Sequence, residues 1–145
     1  MTQRVLRLAL VFVVLATLGV VGSAAVGYAA GTSSGGPGLT TISIQPQAQL
    51  VTTQFGPGAN VSVSYSCFPS PAGGKGGDFI EVKLTDLHGN SGFGQTGATC
   101  DDTMHTATVF VQSFNGTFVA GDAAANATVC GDLNCASTAR EVKLS

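Results

Sequence analysis

Charged residues are scarce in this sequence. Lys, Arg, Asp and Glu together make up 10% of the 145 residues, and only six of them are basic. A nucleic-acid-binding domain carries clustered Lys and Arg, so that class is excluded. Because 44% of the residues are hydrophobic, the composition is also unlike that of an intrinsically disordered protein. Length and composition together predict one small globular domain.

The motifs of common catalytic and metal sites are missing as well. The sequence has no G-x-S-x-G nucleophile motif and no C-x-x-C zinc spacing. His88 and His105 are the only histidines that could act as the base of a nucleophilic triad. Asp101 and Asp102 precede His105, but without the spacing of a calcium-binding loop. We therefore predict a protein without enzymatic activity, cofactor or metal ion.

The first 30 residues have the pattern of a secretory signal peptide. Arg4 and Arg7 precede an uncharged apolar run over residues 8–21, and small residues follow that run. Cleavage is expected after Ala25 or Ala30, and no nearby Cys could serve as a lipoprotein anchor. The alternative is an uncleaved membrane anchor, because the apolar stretch can be extended beyond about 20 residues. Gly and Ser in its second half favour cleavage.

This pattern predicts the domain organisation and the location of the protein. Residues 1–30 form the signal peptide, residues 31–39 a flexible Gly- and Ser-rich leader, and residues 40–145 the folded domain. The protein is expected to be secreted and free of the membrane after cleavage. Beyond residue 30, four basic residues stand against eight acidic residues, which gives a net charge of −4. This mild acidity argues against anionic partners such as nucleic acids or membrane surfaces.

Apolar and polar residues alternate repeatedly along the domain, as in strands that are buried on one side. Val61, Val63 and Tyr65 share one face of such a strand, with serines on the other. Residues 122–130 are rich in Ala, which favours helices, but Asn126 and Thr128 favour a strand in this segment. The pattern predicts a sandwich or barrel of antiparallel sheets. Its seven strands are expected near residues 40–46, 50–53, 60–67, 79–85, 105–113, 122–130 and 139–145.

The four cysteines make an even number, which indicates disulfides in an exported protein. Three pairings are possible. Cys130 and Cys135 are separated by four residues, a loop short enough to close across a hairpin. Cys67 would then pair with Cys100. This second bridge would enclose the most Gly-rich part of the domain.

Several of these segments together resemble a group of small exported actinobacterial proteins. The resemblance rests on Cys67, Cys130 and the runs FIEVKLT (79–85), TCDDT (99–103), FVAG (118–121) and REVKL (140–144). It implies an immunoglobulin-like antiparallel β-sandwich of about seven strands with no assigned activity. More loosely, the Cys130–Cys135 spacing looks like a disulfide of neocarzinostatin-type apoproteins, which carry enediyne chromophores in a sandwich cleft. The other disulfide of those proteins closes a much shorter loop, so no binding residues carry over.

Aromatic residues on the outward faces of strands suggest a binding surface. Phe79 and Phe110 point away from the apolar face of their predicted strands, and Phe93 lies in or near a loop. These three rings are the candidate patch for an apolar ligand or a partner, unless a loop or a sheet covers them.

The sequence leaves two functions open. The first is a secreted, non-enzymatic β-sandwich protein that acts by surface recognition or as an envelope component, with a protein or cell-envelope partner. The second is an extracellular carrier of a small apolar ligand in a sandwich cleft. A concavity lined by Phe79, Phe93 and Phe110 would favour the carrier, whereas a flat face of Ser and Thr would favour recognition.

Overall fold

The computed structural model describes residues 39–69, 77–131 and 134–145. The predicted signal-peptide helix and almost all of the predicted leader lie outside these residues. The described part of the chain contains no helix, and hence none that is long and apolar enough to cross a bilayer. The all-β prediction is confirmed. The seven strands are β1 (Thr41–Thr53), β2 (Gly56–Ser66), β3 (Phe79–Asp86), β4 (Ser91–Gly97), β5 (His105–Ser113), β6 (Gly121–Cys130) and β7 (Cys135–Leu144).

The predicted inward residues form the core of the molecule. Val61, Val63 and Tyr65 are buried, and the same holds for the apolar residues of the other alternating segments. Ala107 is half-buried because it lies near the end of β5. Each larger aliphatic side chain contributes about 1.5–3 kcal/mol by leaving water. The other predicted core residues that are buried are Ile42, Ile44, Cys67, Ile80, Val82, Leu84, Val109, Val111, Ala123, Ala125, Ala127, Val129, Val142 and Leu144.

The strands close into a barrel in the order β1-β2-β5-β4-β3-β6-β7. The all-β part of the prediction therefore holds, and two features differ from a sandwich of antiparallel sheets. The sheet closes, and β1 pairs with β7 in parallel, through Gln47 with Lys143 and Ala48 with Leu144. The cause is an irregularity in β1, where residues 45–47 stand opposite Ser62 alone. Such a bulge bends its strand, and it carries β1 from β2 towards β7.

Two of the seams of the barrel are short. The β4–β5 seam contains only the pairs of Gly92 with Ser113 and Phe93 with Gln112. At the β1–β7 seam, Arg140 donates a hydrogen bond from Nη1 to the backbone oxygen of Ile44 at 2.9 Å. This guanidinium bridges the two strands where they share no ladder of backbone hydrogen bonds.

The strand boundaries differ from the prediction at two places. The segments predicted at 40–46 and 50–53 are halves of β1, joined across the bulge. Strand β4 was not predicted, because its sequence SGFGQTG lacks inward apolar side chains. Gly92 and Gly94 occupy its buried positions, and a Cβ at Gly94 would overlap the backbone oxygen of Phe110. These glycines therefore allow β4 to approach β5 closely.

Candidate functional site

The outward side chains of β1, β2 and β5 are almost all hydroxyls and amides. We call this surface the hydroxyl face. Residues 41–44 of β1 pair with residues 63–66 of β2, and residues 58–65 of β2 pair with residues 105–112 of β5. The side chains therefore stand in rows across the sheet, and Gln45 follows them at the start of the bulge in β1. Its members are Thr41, Ser43 and Gln45 of β1, Asn60, Ser62, Ser64 and Ser66 of β2, and Thr106, Thr108, Phe110 and Gln112 of β5.

Hydrogen bonds between strands order these side chains. The hydroxyls of Ser62 and Thr108 lie 3.3 Å apart, and those of Ser64 and Thr106 lie 3.4 Å apart. Gln45 donates from Nε2 to the Ser64 hydroxyl at 3.1 Å. Each hydroxyl has one proton to donate and two lone pairs that accept, so these pairs leave capacity for an external partner.

The hydroxyl face carries no formal charge, in contrast to the opposite side of the barrel. Strands β1, β2 and β5 contain no Asp, Glu, Lys or Arg. Outward charges lie on β3, β6 and β7, where Lys83 contacts Glu81 at 3.1 Å and Lys143 contacts Asp122 at 2.7 Å. Both pairs are exposed and add little to stability. The two outer surfaces of the barrel therefore suit chemically different partners.

The charged surface contains two neighbouring concavities that are open to solvent. The first has a volume of about 370 Å³, and small residues such as Ala124 and Ala139 line it beside Leu87. The second has a volume of about 400 Å³ and is lined by Phe93 and Phe114, among other residues. Lys83 and Thr85 border both concavities. Each volume lies within the range of about 300–1,000 Å³ of small-molecule sites.

The three predicted aromatic residues occupy different surroundings. Phe93 lies opposite Gln112, which makes it a diagonal neighbour of Phe110 on the outward side. The Phe110 ring covers Gly58, where an added Cβ would lie 2.5 Å from Cε2 of the ring. Phe79 lies at the far end of β3, about 13 Å from the residue opposite Phe93. Only Phe93 of the three lines one of the two concavities described above.

Both predicted disulfides are present at one end of the barrel. Cys67 is bonded to Cys100, Cys130 is bonded to Cys135, and no cysteine is free. The Tyr65 hydroxyl accepts a hydrogen bond from the backbone N–H of Thr99 at 3.0 Å, which also fastens this end. The Cys67–Cys100 disulfide joins the loops that follow β2 and β4, whereas Cys130–Cys135 closes the β6–β7 hairpin.

The same end holds the predicted histidine and acid cluster. Asp101 accepts hydrogen bonds from the Thr103 hydroxyl at 2.6 Å and from His105 Nε2 at 2.7 Å. The Thr103 hydroxyl, His105 and the Thr103 backbone N–H together hold the pKa of Asp101 at about 2, below its ordinary value of 3.8. A catalytic relay uses the two ring nitrogens of histidine separately, whereas here Nε2 faces both Asp101 and Thr103. These contacts join the loop that precedes β5 to His105, the first residue of that strand.

His88 and Asp102, the other candidate catalytic or metal-ligating residues, lie on the surface outside this cluster. His88 is exposed, and Asp102 is exposed with a positive φ of 63°. Within residues 39–69, 77–131 and 134–145, no three His, Cys, Asp or Glu side chains are grouped as metal ligands.

Sequence reasoning missed a polar network at the opposite end of the barrel. Asp86 is only 5% exposed, and its carboxylate accepts the backbone N–H groups of His88, Asn90 and Val119 at 2.9–3.1 Å. The Asn90 side chain donates to the same carboxylate at 2.9 Å. Burial by itself would raise the pKa of Asp86, but these hydrogen bonds outweigh it and lower the pKa.

This network holds the β3–β4 and β5–β6 loops together and leaves apolar side chains outside. Asn115 accepts from the Ser91 N–H at 2.7 Å. Leu87 is 77% exposed and Phe114 is 69% exposed on the loops that the network joins. The only sequence signal was an Asp that opens a Gly- and Asn-containing turn, which predicts the turn without its long-range partners.

No protein-family model matches the chain, and no curated protein is significantly similar to it.

Proposed function

We propose that this chain is a secreted, non-enzymatic immunoglobulin-like domain that acts by surface recognition and has its partner in the cell envelope. The observation that carries the proposal is the hydroxyl face. It presents an ordered array of uncharged polar groups on three paired strands, and those strands contain no Asp, Glu, Lys or Arg. The proposal has three parts, which concern the fold, the location and the binding surface.

The strand order supports the immunoglobulin-like part. Division at the two short seams separates β1-β2-β5 from β4-β3-β6-β7. These groups correspond to strands A-B-E and C′-C-F-G of an immunoglobulin-like sandwich. In such a sandwich, the short parallel pairing of β1 with β7 joins the two sheets along one edge. Arg140 links the same two strands beyond the paired residues.

The cysteines and the N-terminal pattern support secretion. Disulfides persist in oxidising compartments, and all four cysteines of the chain are paired. Residues 1–30 carry the order of basic, apolar and small residues that is typical of signal peptides. The two observations are independent of each other and agree.

The chemistry of the hydroxyl face supports recognition of a polar, uncharged surface. A partner that covers this face removes no ion from water, and the desolvation of ions is the most expensive part of polar burial. The hydroxyls are already ordered by their neighbours, so binding loses less side-chain entropy than it would with long flexible side chains.

A charge substitution on each side of the barrel tests this proposal. Labelled protein is incubated with isolated cell envelopes of the producing organism, and the bound fraction is measured. Ser62→Lys places an ammonium group in the centre of the hydroxyl face and is expected to weaken binding at least tenfold. Thr128→Lys places the same charge on the opposite surface and is expected to leave binding unchanged. Equal binding by both variants would contradict the proposal, provided that both melt like the wild type.

The second candidate function is an extracellular carrier of a small apolar ligand. It is favoured by the two neighbouring concavities, one of which is lined by Phe93 and Phe114. Native mass spectrometry of the purified protein tests it by detecting a bound compound. Ala124→Leu would fill part of the first concavity, so loss of the compound in this variant, with retention in Ser62→Lys, would establish the carrier.

A further inference from the structure

We infer that the hydroxyl face binds a neutral polysaccharide chain. The inference rests on the proposed function, because it names the chemical class of the partner recognised by the same surface. Three features carry it: the hydrogen-bonding groups, their linear arrangement and the distribution of charge.

The hydrogen-bonding groups match those of a sugar. Serine and threonine hydroxyls both donate and accept, as sugar hydroxyls do, and the Asn60 amide offers a donor and an acceptor side by side. The Gln112 amide donates one proton to the backbone oxygen of Phe55 at 2.8 Å and retains a second proton and its oxygen. The Ser62–Thr108 and Ser64–Thr106 contacts measure 3.3 and 3.4 Å. These distances exceed the optimum of about 2.7–2.8 Å for hydroxyl pairs. A sugar hydroxyl can therefore approach these pairs, donate to one member and accept from the other.

The arrangement of these groups is linear. Outward residues recur at every second position of β5 from Thr106 to Gln112, which extends over about 20 Å. A second row lies beside the β5 row on the neighbouring strand β2. It contains Asn60, Ser62 and Ser64, which pair with Phe110, Thr108 and Thr106. Within the β5 row, the half-buried Phe110 ring offers an apolar surface for the C–H side of a sugar ring. A track of this length suits a polymer better than a single small sugar.

The distribution of charge selects a neutral polymer. A polyanionic chain would meet no Lys or Arg on β1, β2 or β5, and the part of the chain after residue 30 is itself acidic. A protein partner would bring its own charged side chains onto a face that offers no counter-charge. A neutral polysaccharide incurs neither cost.

Affinity electrophoresis of the purified protein, expressed from the 145-residue sequence, tests the inference. Native gels contain either the neutral polysaccharide fraction of the producing organism's envelope, freed of protein and anionic polymers, or an acidic polyuronate. The neutral fraction is expected to retard the protein, and the polyuronate is not. Thr108→Val is expected to weaken the retardation at least fivefold. Thr128→Val is the matched control, because Thr128 is also an outward strand residue, whose hydroxyl pairs with Ser137 at 2.8 Å on the other surface.

The possible outcomes separate this inference from the proposed function. The inference that the hydroxyl face binds a neutral polysaccharide is overturned if the neutral fraction does not retard the protein. It is also overturned if both valine variants change the retardation equally. If envelope binding nevertheless remains sensitive to Ser62→Lys and is destroyed by protease, the partner is a protein and only the inference fails. If sedimentation shows a dimer that Ser62→Lys dissociates, the face binds a second copy of the chain, which also overturns the inference. If envelopes bind independently of this face, both the inference and the proposed function fail.

Discussion

At the scale of single residues, Asp86 makes the most consequential polar contacts in the described part of the chain. Its buried carboxylate accepts from His88 and Asn90 of its own turn and from Val119, 33 positions away. Alternation predicted the buried apolar residues correctly, because that pattern is local. It could not predict the burial of Asp86, because the burial depends on a loop that is distant in sequence.

Replacement of Asp86 by Ala is expected to lower the free energy of unfolding by about 3 kcal/mol. The substitution leaves several buried N–H groups without an acceptor, and hydrogen bonds to charged groups are worth about 1.5–3 kcal/mol. Urea denaturation measures the change. Asp122→Ala, which removes an exposed ion pair with Lys143, should stay within about 1 kcal/mol of the wild type. Comparable losses in both variants would show that the network adds no particular stability.

The two acids also predict how stability depends on pH. The pKa values of Asp86 and Asp101 are lowered in the folded chain, so folding favours their ionised forms. Their contribution is complete above the unfolded pKa of 3.8 and is lost as the pH falls through the folded pKa. Stability should therefore fall between about pH 4 and pH 2, and less steeply in Asp101→Asn. Thermal melting across this pH range provides the measurement, and identical slopes for both proteins would contradict the account.

At the scale of elements, β4 and β1 explain where sequence reasoning stopped. Five strands were predicted from alternating apolar side chains, and their inward faces are correct. Strand β4 has no such pattern, because its inward positions are glycines whose role is to let β5 approach. The bulge in β1 divided one strand into two apparent ones. Both differences from the predicted strands arise from backbone contacts, and the alternation of apolar and polar residues carries no information about such contacts.

Glycine substitutions in β4 test this explanation. Gly94→Ala is expected to destabilise the protein by about 3 kcal/mol, because the added Cβ would overlap the backbone of Phe110. Gly97→Ala is the control in the same strand, since nothing lies within 4 Å of its added Cβ. That variant should be neutral or slightly stabilising. Chemical denaturation compares the two, and equal stabilities would exclude a close β4–β5 approach.

At the scale of the whole molecule, the disulfides and the seams decide how the strands are held together. The sequence predicted both disulfides, and it left barrel and sandwich open. Closure depends on two short seams and on Arg140. This residue donates a hydrogen bond to the backbone oxygen of Ile44, which lies 96 positions earlier in the chain. Long-range contacts of this kind leave no local pattern. For the same reason, the three predicted aromatic residues could be named from the sequence but not located relative to one another.

The two disulfides should contribute unequally to stability. Loop-closure entropy for the 34-residue loop of Cys67–Cys100 corresponds to about 3.8 kcal/mol, and the short loop of Cys130–Cys135 to about 2.2 kcal/mol. Paired Cys→Ala variants at each bridge, compared by urea denaturation, measure the difference. If removal of Cys130–Cys135 lowers the free energy of unfolding more than removal of Cys67–Cys100, loop-closure entropy does not determine the relative contributions of the two disulfides.

Threonine-methyl NMR can locate the binding surface, because threonines lie on both outer surfaces of the barrel. Protein with ¹³C-labelled threonine methyls is titrated with soluble envelope fragments. Recognition through the hydroxyl face should shift or broaden the methyl signals of Thr41, Thr106 and Thr108. The signals of Thr85 and Thr128 should stay in place. Perturbation of Thr85 and Thr128 with the other three unchanged would contradict recognition through the hydroxyl face.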